Sequence, residues 1–157
     1  MKKITVAVVG GSGYTGGELL RLLLAHPNVE VVAVTSRTKE KKFVARSHPN
    51  LRSITRLKFI NPINLPRVDV LFLALPHHAV MENIHEYREK CEYLIDLSSD
   101  FRLSNKNDYV KYYGHEHTHP TLLKEFVYGM PELHREKIKS STLIAVPGCT
   151  ATAAILP

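Results

Sequence analysis

The sequence predicts an α/β fold built on a doubly wound, mainly parallel sheet. Apolar, β-branched runs alternate along the chain with helix-like segments, and a glycine-rich loop joins the first run to the first helix. The first unit places strands at 4–9 and 29–35 around a helix at 18–25. This strand–loop–helix–strand arrangement has the size of a βαβ unit, roughly thirty residues, which favours a parallel sheet.

The later elements continue the alternation. Further strands are predicted at 68–75, 93–97 and 143–146, and further helices at 78–90 and 133–138. The polar, basic and proline-punctuated segment 36–66 is predicted to be an irregular excursion with a short strand near 57–60. Segment 98–130 is predicted to be mostly loop. We assign residues 1–157 to one domain.

Composition limits the functional classes. The chain has 157 residues, 44% of them apolar, which suits one domain with a sizeable core. No run is long and apolar enough to span a bilayer, and the start at Met1-Lys2-Lys3 lacks a signal-peptide pattern, so we expect a cytoplasmic protein without membrane partners. The net charge of +6 comes without a nucleic-acid motif. It fits an anionic small molecule, an acidic protein partner or a solvated basic face.

The loop after the first strand has the pattern of a dinucleotide-binding, Rossmann-like turn. Gly10 would allow the tight turn, Gly13 the close approach of a pyrophosphate, and Gly16 close packing of helix on sheet. A glycine-rich turn without a ligand is the alternative. The predicted cofactor contacts in this loop are Gly10, Gly11, Ser12, Gly13, Tyr14, Thr15 and Gly16.

Thr15 has two interpretations, because Thr15 and Glu18 have capping-box spacing. Thr15 could cap the helix, contact a phosphate, or do both. The end of the second strand is more selective. An NAD site usually carries Asp or Glu there, whereas this chain has Ser36, Arg37 and Thr38. Hydroxyls and a guanidinium suit a 2′-phosphate, so we predict NADP as the cofactor, with a plain surface role for Arg37 as the alternative.

Cys149 is the predicted nucleophile. It follows an apolar strand and a Pro-Gly turn, and it opens a run of small residues that suits a helix. Free N–H groups and the helix dipole at such a position stabilise a thiolate, which can attack a carbonyl carbon. The alternative is a buried, inert thiol. Cys91 lies between a charged helix end and a strand, and we interpret it as structural.

Seven segments together resemble N-acetyl-gamma-glutamyl-phosphate reductase. They run in order over nearly the whole chain: GGSGYTG at 10–16, VTSR at 34–37, ALPH at 74–77, DLSSDFRL at 96–103, YGHEH at 113–117, YGMPEL at 128–133 and PGCTATA at 147–153. The resemblance implies an NADPH-dependent reduction of an acyl phosphate to a semialdehyde through a Cys149 thioester. It also implies a second, α+β catalytic domain with the general acid/base, which we expect this chain to lack, and a homo-oligomer in the intact enzyme.

One departure refines the resemblance. Arginine-pathway members usually have Tyr-Pro after the cysteine, whereas this chain has Thr150-Ala151. That pattern is similar to the branch that reduces aminoadipyl or glutamyl phosphate tethered to a small acidic amino-group carrier protein, in lysine and in some cases arginine biosynthesis. The expected partner is therefore a small-molecule or carrier-linked acyl phosphate. Aspartate-semialdehyde dehydrogenase and a non-catalytic NADP-binding or regulatory domain are the alternatives.

Other polar residues near strand ends have two interpretations each. Arg102 could bind the phosphoryl group of the substrate, or pair with Asp96 or Asp100. His77 could lie near the nicotinamide, but we favour a cap on the following helix. His115, His117 and His119 alternate, which in an extended segment puts them on one side. Because suitable further ligands do not accompany them, we predict no metal site.

Overall fold

The computed structural model describes residues 2–156 and contains one six-stranded sheet. Its strands are β1 (Ile4–Val9), β2 (Val29–Val34), β3 (Val68–Leu73), β4 (Cys91–Asp96), β5 (Val127–Tyr128) and β6 (Leu143–Ala145). They lie in the order β2-β1-β3-β4-β6-β5, and every pair is parallel. The predicted α/β class and parallel sheet are confirmed.

Six helices accompany the sheet in the described part of the chain. They are α1 (Tyr14–Ala25), α2 (Val44–Ser47), α3 (Ile84–Glu89), α4 (Lys106–Tyr113), α5 (Pro131–Lys139) and α6 (Cys149–Ile155). Within residues 2–156 no helix combines the length and apolarity needed to cross a membrane.

The core lies on both faces of the sheet, as alternation along β1 illustrates. Val6 and Val8 pack with Leu20 of α1 in one cluster, whereas Ala7 and Val9 belong to a second cluster on the opposite face. Burial on both faces explains why the strands are nearly continuous apolar runs. Strand β1 pairs with β2 on one side and with β3 on the other. The chain connections therefore leave β1 in opposite directions, and the turn after β1 lies at this switch point. Ligands of open α/β sheets bind at such a switch point.

Three predicted segments differ from the structure. The helix expected over 78–90 is confined to a 3-10 turn at Met81–Asn83 followed by α3. The strand expected near 57–60 is reduced to isolated bridges, Thr35 with Ile60 and Phe43 with Lys58. The segment 98–130, predicted to be mostly loop, contains α4 and the edge strand β5.

The reason for the missed elements is local. Helix α4 is short and polar, with an N-cap at Asn105, whose side chain accepts from the Asn107 N–H, and a left-handed Gly114 at its end. Strand β5 has only two residues, too few for an alternating pattern.

Candidate functional site

The loop after β1 has the backbone conformation that its glycines predict. Gly10 has φ 77°, a left-handed conformation that favours glycine. The Gly13 N–H donates to the Gly10 carbonyl at 3.3 Å. A Cβ on Gly16 would lie 2.6 Å from the Gly11 Cα, so close packing of α1 requires glycine. Gly11 and Gly16 are buried, and neither lines the adjacent cleft. Their roles in the structure are packing roles.

The capping role considered for Thr15 is wrong. Helix α1 begins at Tyr14, one residue before Thr15, and its N-cap residue is Gly13, which has no side-chain cap. The other half of the expected capping box is engaged elsewhere, because the Glu18 carboxylate accepts from Arg21 at 2.6 Å. The exposed Thr15 lines the cleft instead, which leaves its hydroxyl available to a ligand.

A cleft of about 610 Å³ opens at the switch point. Its walls come from the glycine loop, from the end of β2 and from the segment after β3: Gly10, Ser12, Gly13, Tyr14, Thr15, Thr35, Ser36, Arg37, Thr38, Ala74, Leu75 and Pro76 are among its lining residues. The structure therefore brings the predicted loop and strand-end residues together around one cavity, apart from Gly11 and Gly16. In the described part of the chain no carboxylate side chain lines this cleft.

Hydroxyls and one guanidinium form the end of the cleft beside β2. The Ser36 side chain is buried and its hydroxyl donates to the Ser12 hydroxyl at 3.0 Å, which ties the strand end to the glycine loop. Arg37 is exposed, and its charge reaches Tyr87, whose pKa is raised by burial and lowered in part by Arg37. Arg37 and the exposed Thr38 can donate to an anion, and no acidic side chain among the lining residues would compete for Arg37. This donor set suits an anionic group such as a phosphate.

Cys149 is the first residue of α6, as the sequence predicts. Gly148 is the N-cap, and its carbonyl accepts from the Thr152 N–H at 2.9 Å and the Thr152 hydroxyl at 3.0 Å. The thiol is exposed rather than buried. The N–H groups of Thr150 and Ala151 precede this first helical bond, so they are available to an oxygen atom bound beside the thiol.

Arg102 lies against the turn that carries Cys149. Its Nε donates to the Val146 carbonyl at 2.7 Å, and its Nη2 donates to the Leu97 carbonyl at 3.0 Å. A Cβ built on Gly148 would lie 3.0 Å from Nη1. The alternative ion pairs with Asp96 or Asp100 are wrong, because neither carboxylate pairs with Arg102.

The two carboxylates serve the backbone around them. Asp100 is fully buried and accepts N–H bonds from His78 at 2.8 Å and from Val80 and Met81 at 3.1 Å. Asp96 accepts from the N–H and the hydroxyl of Ser98, both at 2.8 Å. Burial raises the pKa of Asp96 to about 7, against the opposing effect of the Ser98 bonds.

The helix-capping role favoured for His77 is wrong. Its Nδ1 lies 2.6 Å from the Ser99 hydroxyl and accepts the Ser99 N–H at 3.2 Å, so it contacts the segment after β4. Asp100 instead binds the N–H groups that open the turn before α3. The sequence did not predict this long-range cap. The only local signal for it is the position of Asp100 in a run of small polar residues that follows a strand.

Cys91 and the alternating histidines each make contacts of their own and do not form one site. The half-buried Cys91 thiol donates to the Tyr87 carbonyl at 3.4 Å, and burial raises its pKa to about 11, in keeping with a structural role. His115 Nδ1 bonds the Tyr113 carbonyl at 2.8 Å, whereas His117 is buried against Phe101. Residues 2–156 contain no group of three or more His, Cys, Asp or Glu side chains suited to a metal ion.

Comparison with known proteins gives one family. Residues 5–141 match the model described as semialdehyde dehydrogenase, NAD binding domain. The LysW-L-2-aminoadipate 6-phosphate reductase of Deinococcus radiodurans is 49% identical over 155 residues, covering 99% of this chain and 44% of that protein. The LysW-L-2-aminoadipate/LysW-L-glutamate phosphate reductase of Sulfurisphaera tokodaii is 49% identical over 157 residues, covering 98% of this chain and 45% of that protein.

These matches confirm the expected resemblance to reductases of carrier-linked aminoadipyl and glutamyl phosphates. The chain spans less than half the length of the curated relatives it matches.

Solved structures share the fold at low identity. Aspartate semialdehyde dehydrogenase II of Vibrio cholerae, complexed with ASA, superposes with a TM-score of 0.69 at 16% identity, covering 98% of this chain and 44% of that one. Aspartate semialdehyde dehydrogenase with NADP from Candida albicans gives a TM-score of 0.61 at 13% identity, covering 99% and 45%. At such identities these neighbours establish the architecture alone.

Proposed function

We propose, from the premise that this chain belongs to the semialdehyde dehydrogenase family through its NAD binding domain, that it forms the cofactor-binding part of an NADPH-dependent acyl-phosphate reductase. The observation that supports this proposal most is the pairing of a dinucleotide-sized cleft with an exposed cysteine at a helix start. Both lie at the carboxyl edge of one parallel sheet, where ligands of α/β folds bind.

The cofactor assignment rests on the chemistry of the cleft. Gly10, Gly13 and the exposed start of α1 would bind the pyrophosphate, since a helix N-terminus presents free N–H groups to an anion. Arg37 and Thr38 would bind the 2′-phosphate that distinguishes NADP from NAD, beside Ser36, whose hydroxyl donates to Ser12. When bound, the reduced dinucleotide supplies a hydride.

Cys149 would perform the covalent step. Its thiolate attacks the carbonyl carbon of the acyl phosphate, the C–S bond forms, and the C–O bond to inorganic phosphate breaks. The N–H groups of Thr150 and Ala151 would stabilise the negative charge that develops on the carbonyl oxygen. Addition of a hydride to the thioester carbon would give an oxyanion on that carbon, which would expel the Cys149 thiolate and release the semialdehyde.

Arg102 would have two tasks. Two of its five N–H groups are already bonded to the Val146 and Leu97 carbonyls. The remaining donors could bind an anionic group of the substrate while the bonded ones hold the cysteine turn.

The substrate that fits the relatives' names is an acyl phosphate of aminoadipate or glutamate linked to an acidic carrier protein, as in lysine and arginine biosynthesis. The excess of 21 basic over 15 acidic residues would favour association with such a carrier. In the full-length enzyme we expect a homo-oligomer in the cytoplasm.

Turnover of the full-length protein tests the proposal. NADPH oxidation would be followed with LysW-linked aminoadipyl phosphate, LysW-linked glutamyl phosphate, N-acetyl-glutamyl phosphate and aspartyl phosphate as separate substrates. We expect a LysW-linked phosphate to give the highest kcat/KM. Preference for aspartyl phosphate would instead indicate an aspartate-semialdehyde dehydrogenase, and cofactor binding without turnover of any substrate would indicate a regulatory domain.

A further inference from the structure

The imidazole of His48 lies against the glycine loop and comes from the basic excursion that follows β2. Its Nε2 is 2.7 Å from the Gly11 carbonyl oxygen. Because a carbonyl oxygen can only accept, Nε2 carries the proton and donates this hydrogen bond. The Gly11 N–H in turn donates to the Thr35 carbonyl at 3.1 Å. Both backbone polar groups of Gly11 are therefore bonded to other segments of the chain, one of them to a side chain 37 positions away.

The same imidazole packs on Gly17, in the first turn of α1. Gly17 is buried, and a Cβ built on it would overlap the Cε1 and Nδ1 atoms of His48. The fingerprint of Gly10, Gly13 and Gly16 does not account for this fourth glycine. The contact with His48 does account for it, because any side chain at position 17 would displace the ring.

The two contacts of His48 lie on either side of the residues that form the cofactor cleft. Gly11 precedes and Gly17 follows segment 12–16, most of which lines the cleft. The Gly17 N–H makes the first backbone bond of α1, to the Gly13 carbonyl at 2.9 Å. The N–H groups just before it lack a partner within the helix and can bind an anion. His48 lies outside the lining of the cleft, so it supports the loop without reaching a ligand there.

The hydrophobic core fixes the position of His48. The His48 N–H donates to the Val44 carbonyl at 3.1 Å, and its carbonyl accepts from the Leu51 N–H at 2.9 Å. Val44 and Leu51 are fully buried and belong to the same cluster as Leu20 of α1. The ring is thus held by a buried anchor before it and another after it in the chain. It can therefore restrict a loop whose glycines permit many backbone conformations.

We infer that His48 is a positioning residue for the cofactor, because it holds the glycine loop in the conformation that binds the pyrophosphate. The inference rests on the proposed function, since the loop has this task only if the cleft binds a dinucleotide. A loop that is ordered before binding loses less conformational entropy when the ligand arrives, which raises affinity. The pyrophosphate is common to NADPH and NADH, so His48 acts on both cofactors, whereas Arg37 acts on NADPH alone.

Two substitutions of similar length separate the hydrogen bond from the bulk of the side chain. His48→Gln retains an N–H donor, whereas His48→Met has none. In the full-length protein we expect His48→Met to raise Kd about tenfold for NADPH and for NADH alike, because the Gly11 carbonyl loses its partner. We expect His48→Gln to stay within about threefold of wild type.

The matched control is His85→Met, at an exposed histidine of α3 outside the cleft lining, which should leave both Kd values unchanged. Calorimetry measures every Kd without requiring turnover. An unchanged Kd in His48→Met, equal losses in His48→Met and His48→Gln, or a loss confined to NADPH would overturn the inference.

Gly17→Ala tests the second contact. Its methyl group should displace the imidazole and weaken NADPH binding about as much as His48→Met does. When Gly17→Ala is combined with His48→Ala, the ring is absent and the methyl group fits. The loss in this double variant should therefore not exceed the loss in His48→Ala alone. Losses that multiply in the double variant would contradict a shared contact.

Hydrogen exchange examines the loop without any cofactor. The Gly11 and Gly13 N–H groups should exchange about tenfold faster in His48→Met than in wild type, and nearly at the wild-type rate in His48→Gln. Urea unfolding of each variant separates local opening of the loop from a loss of global stability. Equal exchange in wild type and His48→Met would overturn the inference. If the wild-type protein binds neither dinucleotide, the proposed function fails, and the exchange rates still decide whether His48 holds the loop.

Discussion

The Nε atom of Arg102 donates a hydrogen bond to the carbonyl oxygen of Val146 across 2.7 Å. This bond links the segment after β4 to the turn that precedes Cys149. The Nη2 bond to Leu97 at 3.0 Å anchors the same guanidinium at the end of its own strand. One planar group thus holds two neighbouring strand ends, which a lysine cannot do with the same geometry.

We therefore expect Arg102→Ala to lower kcat of the full-length enzyme by about two orders of magnitude, since a displacement of roughly 1 Å in a reacting group has this effect. Arg102→Lys should recover little of the loss. Steady-state NADPH oxidation measures both variants, and urea unfolding serves as the control for folding. An Arg102→Ala enzyme with wild-type kcat would contradict a positioning role.

Arg37 provides a prediction about cofactor choice. Arg37→Ala should raise KM for NADPH by about tenfold or more, because a charge-assisted bond to phosphate is lost, and should leave KM for NADH within about twofold. Arg46 is the matched control, an exposed arginine of the same excursion that lies outside the cofactor cleft. Equal losses for NADPH and NADH would show that Arg37 does not bind the 2′-phosphate.

Asp96 provides a prediction about pH. Burial raises its pKa from an ordinary 3.8 to about 7 in the folded state. The folded protein therefore binds this proton more tightly than the unfolded chain. The stability contributed by Asp96 is complete below pH 3.8, falls as pH rises toward 7, and is constant above.

Asp96→Asn removes this titration. The free energy of unfolding of the variant, relative to wild type, should increase between pH 5 and pH 7 and level off above that range. Urea unfolding at a series of pH values measures it. Asp69→Asn is the control, because the Thr5 bonds lower the pKa of Asp69, so its contribution should not change over that range. A pH-independent difference for Asp96→Asn would be inconsistent with a buried carboxyl of raised pKa.

The sequence predicts what depends on local pattern. The apolar run of β1, the left-handed Gly10 and the position of Cys149 at a helix start all follow from neighbours in the chain. Contacts between distant residues could not be predicted in this way. The Asp100 cap on the turn at Val80 and the Arg102 bond to Val146 join residues 20 and 44 positions apart. Both depend on the order of strands in the sheet, which no motif encodes.

The same limit explains the outcomes at Thr15 and His77. Capping-box spacing left a cap at Thr15 as one of two interpretations, but the glycine turn lets α1 start one residue earlier, at Tyr14. A histidine before a helical segment suggested a cap at His77, but its nearest polar partner is Ser99 on the next strand's loop. In each case tertiary structure determined the outcome that local spacing left open.

Covalent trapping at Cys149 tests the central claim most directly. The full-length protein would be mixed with the acyl phosphate that gives the highest kcat/KM, without NADPH, and peptides would be examined by mass spectrometry after acid quenching. We predict one acyl adduct on Cys149, absent from Cys149→Ala and from Cys91, together with release of one equivalent of phosphate per adduct. Phosphate release without any adduct, or an adduct that persists in Cys149→Ala, would contradict the proposed thioester route.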